Sequence, residues 1–85
     1  MTTHIYRTRG TCSRSISVTL DDDMTVRDVQ FVGGCHGNLQ GVSKLVEGRK
    51  AQEVIKLLEG IRCGDKPTSC PDQLSKALQE ALAKN

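Results

Sequence analysis

The spacing of apolar residues changes once along this 85-residue chain, at the glycine-rich stretch "GGCHGN" (33–38). Before that stretch they alternate, the period of a strand with one buried face. "HIYRTR" (4–9), "RSISVTL" (14–20) and "TVRDVQFV" (25–32) read as three β-strands, with Ile16, Val18 and Leu20 on one face and Val29 and Phe31 on one side. "DDD" (21–23) reads as a turn, and short connections make the three an antiparallel meander whose inner face needs a cover. After the glycines the spacing turns helical. Leu39, Val42, Leu45 and Val46 form one stripe that stops at Gly48, and Val54, Ile55, Leu57 and Leu58 form another that stops at Gly60. Pro71 opens a third helix, because its missing N–H costs nothing at a first helical position; Leu74, Ala77, Leu78, Ala81 and Leu82 are its stripe. The expectation is an α+β fold, a three-stranded antiparallel β-sheet followed by three helices packed on one face. Residues 1–85 form a single domain, with no internal repeat and no linker.

A domain this short buries a smaller share of its surface than a larger one. With one Phe, one Tyr and no Trp, its core must be aliphatic, Met24 included. Small domains commonly add a disulfide, a metal or a partner subunit, and four cysteines are the available material. "MTTHIYRTRG" has no apolar signal region, and no apolar run approaches the roughly 20 residues that span a bilayer. A cytoplasmic protein without membrane association is therefore expected, and reduced thiols there point to metal binding or redox chemistry before structural disulfides.

The formal net charge is +2, too small to argue for nucleic acid by itself. Arg7, Arg9 and Arg14 do precede every acidic residue, and such an edge attracts nucleotide phosphates. Tyr6 and Phe31 are poor material for base stacking, however. Solvated charges that keep a strand edge from pairing are the simpler reading.

Each cysteine sits at a boundary between elements, where loops converge over a rigid frame. Cys12 lies between the first two strands, Cys35 between strand and helix, Cys63 after the second helix, and Cys70 before the third. Cys70 meets a helix N-terminus, which favours a thiolate, while Asp72 suits the first turn of that helix. Four thiolates at Cys12, Cys35, Cys63 and Cys70 can enclose zinc tetrahedrally. The spacing lacks a C-x2-C knuckle, so reduced packed cysteines and disulfides remain alternatives. His36 adjoins Cys35 and could ligate, Asp65 could substitute for one cysteine but reads first as a turn residue, and His4 reads as strand surface. "GGCHGN" is not a Walker A loop, since the Lys-Ser/Thr pair is missing.

"TSCPD" (68–72), with "GIRCG" (60–64) and "GGCHGN" before it, resembles the TSCPD domain family over Cys12 to Leu82. That family occurs as small free-standing proteins and as an appendage near the C-terminus of ribonucleotide reductases. The resemblance implies a cysteine-rich metal-binding module, with ribonucleotide reductase or another protein as partner. Eighty-five residues leave no room for that enzyme's catalytic barrel, so no catalytic activity of its own is expected, although family members often carry the reductase label. The layout is also similar, more distantly, to the U-type iron–sulfur cluster scaffolds, with Cys12, Cys35 and Cys70 in their three cysteine positions. Cys63 has no counterpart there, and Arg14 stands where the scaffold has an aspartate, which favours a closed four-cysteine site. An iron–sulfur carrier, or a thiol redox accessory using Cys63 and Cys70, is the alternative function.

Overall fold

Ile16, Val18 and Leu20 have no exposed surface, and they fix the middle of the sheet. The computed structural model describes residues 1–11, 13–34 and 36–84, with His36 as backbone only. Strands β1 (Thr2–Arg7), β2 (Ser13–Leu20) and β3 (Val26–Gly33) form one antiparallel sheet in the order β1-β2-β3. Its register sets His4 and Val29 opposite Val18, and Tyr6 and Phe31 opposite Ile16. Side chains alternate across a strand, so these residues share the inner face, while Ile5, Ser17 and Gln30 share the outer one.

Three helices follow the sheet, as expected: α1 (His36–Val46), α2 (Ala51–Leu58) and α3 (Cys70–Lys84). α3 packs on β1 and β2, α1 on β3, and α2 on α3. Between α1 and α2 the chain turns at Gly48 (φ +86°) and runs back along β3. Val26 donates to the Arg49 carbonyl (2.8 Å) and accepts from Gly48 (2.7 Å), while Ala51 donates to the Met24 carbonyl (2.9 Å). Met24 packs against the core from a left-handed turn conformation (φ +66°). Among the described residues no helix is long and apolar enough to cross a membrane.

Four details depart from the expectation. β1 spans 2–7 and not 4–9: Thr8 still donates to the Arg14 carbonyl of β2, but Arg9 leaves the sheet to bond Gln73. α1 opens at His36, three residues before the apolar stripe begins. Leu45 and Leu57 are 73% and 60% exposed; at 3.6 residues per turn each lies roughly 100° from the centre of its helix's buried stripe. His4 is a core-facing residue and not strand surface: it is 9% exposed, and its Nε2 lies 3.0 Å from Glu80 on α3.

Candidate functional site

Six residues, "TSCPDQ" (68–73), build the start of α3. Ser69 is the N-cap: its hydroxyl accepts the Asp72 N–H at 3.1 Å, and its carbonyl accepts the Gln73 N–H at 2.8 Å. Cys70, and not Pro71, is the first helical residue. Pro71 follows within the first turn, where a backbone donor would have no helical partner. The Ser69 hydroxyl also donates to the Ile61 carbonyl at 2.6 Å.

Asp72, 6% exposed, accepts the Gly60 N–H at 2.7 Å and the Thr68 hydroxyl. Burial by itself pushes this carboxyl up, but the hydrogen bonds from Thr68 and Gly60, helped by the charge of Lys76, outweigh burial and hold it below the ordinary value of 3.8. Gln73 completes the junction, with Nε2 donating to Thr68 Oγ1 and Oε1 accepting the Arg9 N–H, both at 3.0 Å. The helix start, loop 59–69 and the β1–β2 turn are thereby tied together by side chains whose polar atoms are all used.

The segments that carry the cysteines meet at this junction. Cys70 Sγ lies 3.3 Å from the Oγ of Ser13, the residue after position 12. Gly34, the residue before position 35, packs so closely that a Cβ there would sit 3.3 Å from Ser13 N and 2.8 Å from Leu39 Cδ1. A Cβ on Gly10 would meet Thr68 Cγ2 at 3.1 Å. The Cys63 N–H donates to the Thr68 carbonyl at 3.1 Å, and Lys66 returns a bond of the same length to the Cys63 carbonyl.

Two of the four predicted ligands are described. Cys70 is buried and Cys63 is exposed, and the two are not joined to each other. Cys12 and Cys35 lie outside the described residues, as does the side chain of His36. Among the described residues no three His, Cys, Asp or Glu side chains are grouped so as to hold a metal ion. Asp65 is exposed in the turn after Cys63.

The family model of the TSCPD domain matches residues 2–82, nearly the whole chain. The chain belongs to the TSCPD domain family. Searches of curated proteins and of solved structures gave no match.

In this TSCPD domain the five motif residues act mainly on one another and on nearby backbone. Thr68, Ser69 and Asp72 close the preceding loop, Pro71 occupies the first helical turn, and Cys70 faces Ser13. The sequence reading assigned Asp72 to helix electrostatics and missed its bond to Gly60; it also missed the Ser69 cap and the Gln73 bridge. The pattern Ser69-x-x-Asp72 is a legible variant of the capping box, but nothing local points to Gly60 or Arg9. A groove of about 460 Å³ between β3 and α1, lined by Phe31, Leu39, Gln40 and Ser43 among others, contains neither Cys63 nor Cys70.

Proposed function

We propose that this TSCPD domain is a non-catalytic module whose Cys12, Cys35, Cys63 and Cys70 hold one zinc ion. The observation that supports this is the meeting, at the start of α3, of the residues that flank the four cysteines. Thiolates are the donors of closed structural zinc sites, and the hydroxyl of Ser13 beside Cys70 is the kind of outer hydrogen-bonding group that orients a ligand. Bound there, zinc supplies a crosslink among the β1–β2 turn, the β3–α1 turn and loop 59–69, in a domain too small to rely on its core alone. The resemblance to the appendage of ribonucleotide reductases supports a role in binding or delivery for such an enzyme.

The test is metal content and native mass of protein purified without oxygen or chelator. One zinc per chain is expected, with both metal content and thermal stability lowered in Cys70→Ser. A bare-chain mass with four free thiols, or a Cys70→Ser variant unchanged in both respects, overturns the reading. A brown preparation containing iron and sulfide replaces it with the iron–sulfur carrier.

A further inference from the structure

Positive charge is unevenly placed on this molecule. Arg7, Arg9, Arg14, Arg62 and Lys66 are all exposed. Hydrogen bonds gather them at the cysteine end: Thr8 donates to the Arg14 carbonyl, Arg9 donates to Gln73, and Cys63, next to Arg62, is bonded to Thr68 and Lys66. None of the five takes part in an ion pair among the described residues, whereas the two other arginines, Arg27 and Arg49, hold Asp21 and Glu53 at 2.6 Å. The exposed carboxylates near them are Asp65 and Glu59, the latter sharing a groove with Arg62 and Pro67, for five cations against two anions; Asp72 is buried and already met by Thr68, Gly60 and Lys76. A four-thiolate zinc site would offset about two of those charges and leave this end positive.

Unpaired like charges held together favour an anionic partner. The accompanying surface decides its class. Tyr6 and Phe31 are partly buried against the core, so no aromatic platform for bases accompanies the arginines. Instead the same loop exposes Ile61 (41%) and Pro67. Exposed apolar side chains beside an arginine, as Ile61 and Pro67 are beside Arg62, have the composition of a protein interface. We propose that the cysteine end of this domain docks on an acidic face of a partner protein.

The test titrates the full chain, as purified, with a fluorescent peptide of alternating glutamate and leucine, and separately with duplex DNA of equal charge, at about 50 mM ionic strength. Two double variants of equal charge change are compared: Arg9→Glu/Arg14→Glu at the patch, and Lys44→Glu/Lys56→Glu on α1 and α2. Arg9→Gln/Arg14→Gln repeats the first should charge reversal disturb folding. The patch variants are expected to weaken peptide binding about tenfold and the helix variant less than about twofold, with DNA bound more weakly than peptide. Equal weakening by both variant pairs, tighter binding of DNA, or salt-sensitive dimers formed by the chain itself overturns the proposal.

Discussion

The Gly60 N–H donates to Asp72 Oδ1 at 2.7 Å, so the first turn of α3 holds the chain where it leaves α2. The same carboxylate takes the Thr68 hydroxyl, and one buried side chain therefore sets both ends of the loop that carries Cys63.

Asp72→Asn keeps the shape and removes the charge. Hydrogen bonds to a charged group contribute about 1.5–3 kcal/mol, and a loss of that order in urea unfolding at neutral pH is expected. The native carboxyl sits below its ordinary value of 3.8. Its contribution is therefore complete above 3.8 and is lost as pH falls through the native value. As pH falls below about 4 the wild type should lose more stability than Asp72→Asn. Parallel curves would show that Asp72 titrates normally.

Ser69→Ala removes a cap and a loop anchor together. Loss of a helix N-cap costs about 0.5–2 kcal/mol, and the bond to the Ile61 carbonyl goes with it. A fall in thermal midpoint is expected, together with faster amide exchange at Asp72.

Two glycines should respond with opposite sign to the same methyl group. Gly34→Ala forces a left-handed residue and a 2.8 Å approach to Leu39 (φ +83°), and should cost about 1–3 kcal/mol. Gly41 lies in α1 with nothing within 4 Å of its Cβ position, so Gly41→Ala should add about 0.5–1 kcal/mol. Chemical denaturation of the pair checks both.

Cys63→Ser and Cys70→Ser should also separate. Under the zinc reading both lower metal content. In metal-free protein only Cys70→Ser should lower the thermal midpoint, because Cys70 is buried against Ser13 and Cys63 is exposed. Metal analysis and melts with and without chelator make the comparison.

The sheet-then-helices order was readable because the two apolar periods do not overlap in sequence. β2 was the clearest case, with all three alternate apolar residues fully buried. β1 was harder: its inward residues are His4 and Tyr6, while Ile5 is 71% exposed on the outer face. A histidine faces the core there because Glu80, 76 residues away, meets it. No local pattern contains that partner. Likewise the candidate site was legible in its residue types and in the Ser69–Asp72 spacing. Its ties to Gly60, Ile61 and Arg9 belong to tertiary structure alone.

The helix that covers β2 is also the last element in the chain. During synthesis, Ile16, Val18 and Leu20 therefore emerge long before Leu74 and Leu78 can reach them. The nascent sheet has an oily side that stays wet until α3 arrives. The sheet's inner face therefore cannot be fully covered before α3 is made, and a chain stalled in the loop before α3 leaves Ile16, Val18 and Leu20 without that cover.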